Sequence, residues 1–181
     1  MTGNRGDRFR LRGPSRIDTT GQSGPTPTAR SAPVTQPAPV TPPAPTGKRR
    51  VLFVCIGNSC RSQMAEGILR HDHGDRFLVE SAGSRPSVVR PEAIAAMREI
   101  GIDISGHRSK NVDEFRDEAF DYVLTVCDNA KEACPVYPGH TNRIHHCFED
   151  PAAALEAERL DAFRRVRDQL REYFKTFPES R

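Results

Sequence analysis

The chain has 181 residues, of which 36% are hydrophobic and 28% are charged, and its 27 Lys and Arg against 24 Asp and Glu give a net charge of +3. No apolar run reaches the length of a signal-peptide core, and none approaches the roughly 18 residues of a transmembrane helix. The composition excludes a chain with a membrane-spanning helix, and we expect a soluble, cytoplasmic protein with no membrane partner.

The charge is divided unevenly along the chain. The first 50 residues hold nine Lys and Arg against two Asp, whereas the rest carries a net charge of −4. Residues 1–47 also contain nine of the fifteen prolines and a single aromatic residue, Phe9. Because such a segment lacks the apolar surface to offset its ordering entropy, we predict a disordered, basic, proline-rich extension at 1–47 and one folded domain at 48–181.

An organellar transit peptide or a weak nucleic-acid tether would share the basic composition of the extension. Its prolines would interrupt the amphipathic helix that a transit peptide needs. We therefore expect a solvated extension and no nucleic-acid partner.

Apolar runs and helix-start signals alternate along the rest of the chain, which predicts strands alternating with helices. Such an order forms a parallel sheet with a covering layer on each side. We predict an α/β fold, a three-layer sandwich with a four-stranded parallel sheet. The expected elements are a strand at Val51–Val54, a helix from Arg61 to Leu69, a strand at Phe77–Ser81, a helix at Pro91–Ile100, a short helix from Val112, strands at Asp121–Val126 and Arg143–Cys147, and an amphipathic helix from Leu155 to Phe177.

Four polar or thiol side chains fall at or just after predicted strand ends: Cys55, Ser81, Cys127 and Asp150. Parallel sheets of this kind bind ligands beyond the carboxyl ends of their strands. We expect these four segments to meet in one cleft.

The segment Cys55–Ser62 places a cysteine and an arginine six positions apart, between the first predicted strand and the first predicted helix. Backbone N–H groups at a helix N-terminus have no intrahelical partners, and with the helix dipole they favour a bound oxyanion. Arg61 adds a permanently charged fork for tetrahedral oxygens, and Gly57 and Asn58 tolerate left-handed backbone angles. The predicted oxyanion-binding residues are Ile56, Gly57, Asn58, Ser59, Cys60, Arg61 and Ser62.

Cys55 is the predicted nucleophile of this loop. A thiol at a helix N-terminus and close to a guanidinium can have its pKa lowered from about 8.5 to about 3.5–7.5, so we expect a thiolate at neutral pH. The alternative is a buried structural cysteine in a strand-to-helix turn, which would leave the surrounding Gly, Asn, Arg and Ser at these offsets to chance.

The segment from Val54 to Glu66 resembles the phosphate-loop signature of the low-molecular-weight protein tyrosine phosphatase superfamily. Its ending, Ser-Gln-Met-Ala-Glu, is similar to the thioredoxin-coupled arsenate reductase branch of that superfamily. The resemblance spans residues 50–177 and implies the flavodoxin-like low-molecular-weight phosphatase fold, in a monomer that needs no cofactor. The further matching segments are Ser81–Gly83, Ile102–Ser105, Val126–Cys127 through Cys134–Pro135, and Phe148–Pro151.

The resemblance also implies a role for each catalytic residue. Arg61 would bind arsenate and Cys55 would attack it. Ser62 would donate a hydrogen bond to the Cys55 sulfur. Asp150 would protonate the leaving oxygen, although an Asp before Pro151 could instead cap a helix. Cys127 would displace arsenite and Cys134 would move the disulfide away, with electrons from thioredoxin, from glutaredoxin with glutathione, or from another thiol.

The spacing of Cys127 and Cys134 sets a condition on that disulfide. If residues 128–133 were helical, the two cysteines would be separated by about 10.5 Å of helix rise. A disulfide needs Cα atoms within about 7 Å, so the segment would have to unwind when the two cysteines pair. The alternative is that Cys127 is a buried strand-end residue and Cys134 an incidental one.

Two other functions use the same loop. A phosphatase acting on phosphotyrosine or a small phosphoester would need only Cys55, Arg61 and the acid. Against it, Ala152 and Ala153 stand where tyrosine phosphatases of this group tend to carry tyrosines. A phosphate-binding protein without turnover would not need the whole catalytic set of cysteine, arginine and aspartate.

The other thiols have no role in this scheme. We expect Cys60 to pack beneath the loop, with a protective disulfide to Cys55 as the alternative, and Cys147 to be a core residue of the fourth strand. His145 and His146 stand beside Cys147, but no recognised zinc-ligand spacing is present, so we predict no metal site.

A cation site is the point at which this sequence departs from the resemblance. In some arsenate reductases an asparagine, a glutamate, a serine and an aspartate surround a potassium ion. Asn58, Glu66 and Ser81 match the first three, and Lys110 stands at the fourth. Because an ammonium there would replace the ion, we expect little potassium dependence.

Overall fold

The computed structural model describes residues 47–127 and 141–177. All but one residue of the predicted extension at 1–47, and Cys134 of the predicted thiol relay, lie outside these ranges. The described elements follow in the order β1 (Arg49–Cys55), α1 (Arg61–His73), β2 (Phe77–Gly83), α2 (Pro91–Arg98), a 3₁₀-helix (Val112–Phe115), β3 (Tyr122–Thr125), β4 (Asn142–His145), two 3₁₀ turns (Pro151–Ala153 and Glu156–Glu158) and α3 (Arg159–Phe174).

The four strands form one sheet in the order β2-β1-β3-β4, and every neighbouring pair is parallel. The central strand β1 is buried from Val51 to Cys55, with at most 4% of any of these residues exposed. A strand that is covered on both faces needs apolar side chains at successive positions, which explains the continuous apolar run in its sequence. The predicted four-stranded parallel sheet is confirmed.

Successive side chains of β1 enter two different cores, as the alternation of a strand requires. Phe53 packs with residues of α1, α2 and α3 on one face of the sheet. Val54 packs on the other face with Val112 and Phe115 of the 3₁₀-helix. The predicted three-layer α/β architecture is therefore confirmed, with α-helices in one outer layer and a 3₁₀-helix in the other.

The closing helix α3 buries one stripe of its surface. Phe163, Val166, Leu170 and Phe174 are each at most 1% exposed, and the ring of Phe174 lies 5.3 Å from that of Phe53 on β1. The expected start of this helix at Leu155 is wrong. That side chain is 73% exposed, and the chain forms two 3₁₀ turns before α3 begins at Arg159.

Gly83 at the end of β2 sets how closely the loop after β1 approaches the sheet. A Cβ atom at this position would lie 2.4 Å from the carbonyl oxygen of Ile56 and 2.9 Å from the backbone nitrogen of Asn58. These contacts are closer than real Cβ atoms show, so only glycine lets the backbone of the loop pass at this distance.

Replacing Leu170 with alanine is expected to lower the free energy of unfolding by about 2–5 kcal/mol, because the wholly buried side chain leaves a cavity between α3 and the sheet. Urea denaturation monitored by circular dichroism measures the change. The exposed Leu155→Ala variant is the matched control and should unfold within about 0.5 kcal/mol of the wild type. Equal midpoints for the two variants would contradict the assigned packing of α3.

Candidate active site

The predicted anion-binding loop joins the end of β1 to the start of α1. Cys55 is the last residue of β1, and Arg61 is the first residue of α1. The left-handed backbone expected in this loop occurs at Asn58, whose φ angle is +45°, and not at Gly57. An asparagine adopts this conformation more readily than most residues because its side chain forms local hydrogen bonds.

Asn58 is fully buried, and its side chain connects the loop to its surroundings. Its Nδ2 atom donates to Ser62 Oγ at 2.9 Å and to Ser81 Oγ at 2.8 Å. Its Oδ1 atom accepts from the Lys110 backbone N–H at 2.8 Å and from Gln63 Nε2 at 2.9 Å. The side-chain amide thus makes four hydrogen bonds, because both of its N–H groups donate and its oxygen accepts two bonds.

The Cys55 sulfur has two polar neighbours that stabilise its ionised form. The Asn58 backbone N–H donates to Cys55 Sγ at 3.0 Å, and Ser62 Oγ lies 2.8 Å from the same sulfur. Because Ser62 Oγ accepts from Asn58, its own proton is available to the sulfur when Cys55 is a thiolate.

Burial nevertheless raises the pKa of Cys55 above its ordinary value, against the Ser62 hydroxyl, the Asn58 N–H and the Arg61 guanidinium, which lower it. The expectation of a lowered pKa was therefore wrong. The helix N-terminus and Arg61 are placed as the sequence predicted, but desolvation of a residue that is only 4% exposed outweighs them. This burial could not be deduced from the spacing of loop residues.

Arg61 and Asp150 lie next to each other over the loop. Arg61 Nη1 donates to the Phe148 carbonyl at 2.9 Å, and Nη2 lies 3.4 Å from Asp150 Oδ2. Asp150 Oδ1 also accepts from the Ala152 N–H at 3.2 Å and caps the 3₁₀ turn that begins at Pro151. The two alternatives for Asp150, a cap and a residue at the site, therefore occur together.

A cavity of about 490 Å³ opens over the loop and brings together most of the predicted site residues. Asn58, Ser62 and Ser81 do not line it, because they are buried behind the loop. Ser81 was expected in the cleft, and that expectation was wrong. The predicted residues that line the cavity are Cys55, Ile56, Gly57, Ser59, Cys60, Arg61, Cys127 and Asp150.

The cavity also contains residues that the sequence did not mark as functional, among them Arg90 and Cys147. Arg90 precedes Pro91 at the start of α2. A basic side chain before a helix-start proline was the only feature of the sequence that could have indicated a functional residue here. Cys147 was expected in the core of the fourth strand, and that expectation was wrong. β4 ends at His145, two residues earlier, and Cys147 is exposed.

Cys60 is buried and lines the cavity beside Cys55. Burial raises the pKa of its thiol, against the Ser59 hydroxyl, which lowers it. Nothing in these contacts makes Cys60 a stronger nucleophile than Cys55.

A buried ion cluster lies behind the loop. Glu66, which is 2% exposed, accepts a hydrogen bond from Ser81 Oγ and pairs with Arg70 at 2.5 Å. The Lys110 ammonium lies 3.3 Å from Glu66 Oε2 and also pairs with Glu80. The lysine side chain therefore contacts the glutamate that matched the potassium site.

Among residues 47–127 and 141–177, no group of three or more His, Cys, Asp or Glu side chains is arranged to hold a metal ion. Within the same ranges, no helix combines the length and the apolar character needed to cross a bilayer.

Residues 50–180 match the sequence model of the family described as low molecular weight phosphotyrosine protein phosphatase. The chain belongs to this family. An arsenate reductase of Halalkalibacterium halodurans is 44% identical over 135 residues, which are 74% of this chain and 97% of that protein.

Two solved structures share the fold. One, described as an arsenate reductase in the phosphate binding state, is 37% identical with a TM-score of 0.58, over 71% of this chain and 95% of that one. The other, a thioredoxin-dependent arsenate reductase of Corynebacterium glutamicum, is 28% identical with a TM-score of 0.59, over 76% of this chain and 66% of that one. The expected family and fold are both confirmed.

Replacing Ser62 with alanine is expected to raise the pKa of Cys55, because the thiolate loses its hydroxyl donor while the protonated thiol loses much less. The rate of alkylation of Cys55 by iodoacetamide as a function of pH, followed on the Cys55 peptide by mass spectrometry, measures this pKa. Ser105→Ala, at an exposed position outside the cavity, is the control and should leave the profile unchanged. A Ser62→Ala profile that coincides with the wild type would contradict the assigned hydrogen bond.

Proposed function

We propose that this protein reduces arsenate to arsenite, using Cys55 as the nucleophile and Cys127 as the thiol that displaces the product. The observation that carries the proposal is the presence of both thiols in one cavity with Arg61 and Asp150. A phosphate-type oxyanion site needs only one thiol. A second thiol in the same cavity can form a disulfide with the first, and the formation of that disulfide supplies the two electrons of the reduction.

In the first step the Cys55 thiolate attacks the arsenic atom while the loop N–H groups and Arg61 hold the other oxygens. The S–As bond forms as an As–O bond breaks, and Asp150, about half exposed and 3.4 Å from Arg61, gives the leaving oxygen its proton. Deprotonation of the buried Cys55 must precede attack, and Ser62 and the Asn58 N–H stabilise the resulting charge.

In the second step the Cys127 thiolate attacks Cys55 Sγ. A disulfide forms, the S–As bond breaks, and its electron pair stays with arsenic, which leaves as arsenite. Burial is the main cause of the raised pKa of Cys55, and repulsion from Cys127 raises it further. Cys127 is therefore close enough for its charge to act on Cys55. Cys127 is 5% exposed, which protects this disulfide from solvent.

The third step must return two electrons from an external thiol. We propose thioredoxin as the donor and Cys134 as the residue that first takes over the disulfide. The thioredoxin-dependent relative supports the donor, and the seven-residue spacing of the two cysteines supports the role of Cys134, which lies outside the described residues.

Hydrolysis of phosphoesters is the second candidate function, because Cys55, Arg61 and Asp150 suffice for it and the family carries a phosphatase name. The cavity wall argues against an aryl phosphate substrate. Ala152 presents only a methyl group where the tyrosine phosphatases of this group tend to place a ring.

The Cys127→Ser variant is expected to lose arsenate reduction, because the arsenylated Cys55 then lacks the thiol assigned to displace arsenite. Arsenite formation with thioredoxin, thioredoxin reductase and NADPH is the measurement, and Cys134→Ser is expected to turn over more slowly than the wild type in the same assay. Hydrolysis of a small, non-aromatic phosphoester by both variants serves as the control, since that reaction needs neither cysteine. Normal arsenite formation by both variants, or fast phosphoester turnover by a wild type that forms no arsenite, would overturn the relay.

Exchanging sodium for potassium at constant ionic strength is expected to leave the rate of arsenate reduction unchanged, because the Lys110 ammonium already contacts Glu66. Steady-state rates in the two salts are the measurement, and a lithium salt at the same ionic strength serves as a further control. A clear rise in potassium would contradict the assignment of Lys110 as the resident cation.

A further inference from the structure

Cys147 shares the active-site cavity with Cys55 and Cys127. These two thiols and Cys60, which also lines the cavity, are buried, whereas Cys147 is exposed. No step of the reaction proposed above uses it. Of the four thiols that line the cavity, Cys147 is thus the one placed to carry a disulfide to the protein surface.

The backbone hydrogen bonds that follow β3 and β4 bring Cys147 close to Cys127. Thr125 on β3 pairs with His145 on β4, and beyond this pair the register shifts by one residue, so that Cys147 stands opposite Val126, the residue before Cys127. The His146 N–H donates to the Thr125 carbonyl at 3.0 Å, and the Phe148 N–H donates to the Val126 carbonyl at 3.4 Å. These bonds hold the two backbones together on either side of Cys147, although neither cysteine belongs to a strand.

The distance between adjacent parallel strands suits a disulfide. Neighbouring strands lie about 4.7–4.9 Å apart, and the Cα atoms of a disulfide are usually separated by about 4.4–6.8 Å. Cys147 stands opposite the neighbour of Cys127 and lines the same cavity, and on this basis we expect the two thiols to pair. The route through Cys134 differs, since a helical segment between Cys127 and Cys134 would have to unwind first.

We propose that Cys147 is a second resolving thiol for the disulfide that arsenate reduction leaves on Cys55 and Cys127; the inference rests on the proposed function. The Cys147 thiolate attacks Cys127 Sγ, having lost its proton to solvent. The bond between Cys127 and Cys147 forms, the bond between Cys55 and Cys127 breaks, and Cys55 leaves as a thiolate with the electron pair. The exchange changes no net oxidation state and returns Cys55 to its starting form.

The new disulfide is one that an external thiol reaches. A thiolate of a dithiol reductant attacks the exposed Cys147 Sγ and releases Cys127 as a thiolate. The second thiol of the reductant then displaces Cys147, so that the reductant leaves oxidised by two electrons. The buried disulfide between Cys55 and Cys127 offers no such access, since each residue is at most 5% exposed.

A pairing experiment tests the geometry without using arsenate. The full-length Cys55→Ser/Cys134→Ser variant keeps Cys60, Cys127 and Cys147, and it is oxidised with oxidised glutathione, alkylated and digested with trypsin without reduction. Lys131 and Arg143 lie between Cys127 and Cys147, so the two thiols fall on different peptides. Mass spectrometry is expected to find these peptides linked and Cys60 alkylated. Cys127 recovered alkylated, or linked to Cys60, would overturn the inference.

A single-turnover experiment tests the role in the reaction. Cys134→Ser and Cys134→Ser/Cys147→Ser react with stoichiometric arsenate and no reductant, and arsenite and linked peptides are quantified. Both variants should release arsenite equally, but the single variant should carry the link between Cys127 and Cys147 and the double variant the link between Cys55 and Cys127. A single variant that stops at the link between Cys55 and Cys127 would overturn the inference.

Turnover with dithiothreitol gives a third readout, in which Cys134→Ser should retain activity that Cys134→Ser/Cys147→Ser loses. Cys134→Ser/Cys147→Ala is the matched control for packing and should lose the same activity, since both changes remove the thiol. Equal turnover in all three variants would contradict the role of Cys147. If the wild type forms no arsenite, the proposed function fails, and the pairing experiment alone decides whether Cys147 is a partner of Cys127.

Discussion

The hydrogen bonds of the buried Asn58 determine the shape of the active-site loop. Asn58 alone in the loop has a left-handed backbone, and its side chain donates to Ser62 and Ser81 while its carbonyl oxygen accepts from Lys110 and Gln63. These partners come from three segments of the fold: the first turn of α1, the strand β2 and the segment before the 3₁₀-helix. The loop therefore keeps its conformation because the surrounding protein provides hydrogen-bond partners for the Asn58 side chain. A buried side-chain amide without these partners would cost about 1–3 kcal/mol of stability.

The same network connects the nucleophile to the charges behind it. Glu66 accepts from Ser81, Ser81 accepts from Asn58, and Asn58 donates to Ser62, which lies against the Cys55 sulfur. Glu66 is itself paired with Lys110 and Arg70. A buried carboxylate without these cations would be strongly unfavourable, so the ion cluster is a condition for the loop as well as for the fold.

The parts of the fold and of the site that could be predicted were those that depend on residues close together in the sequence. The apolar run of β1 and the loop that follows it identified the sheet, the nucleophile and Arg61 from neighbouring residues alone. The pKa of Cys55 and the position of Cys147 depend on what other segments cover, and no periodicity carries that information. Cys147 was assigned to the end of a predicted strand that began at Arg143, but β4 is an edge strand that ends at His145, so the expected burial of Cys147 did not occur.

Arg61 lies ready for an anion because the Phe148 carbonyl holds its guanidinium. An unconstrained arginine would lose rotamer freedom on binding, at a cost of about 0.5–1.5 kcal/mol for a side chain of this kind. Here that entropy is lost during folding, when the chain after β4 closes over α1. The affinity of the site for a small oxyanion thus depends partly on how firmly a backbone carbonyl more than eighty residues away is held.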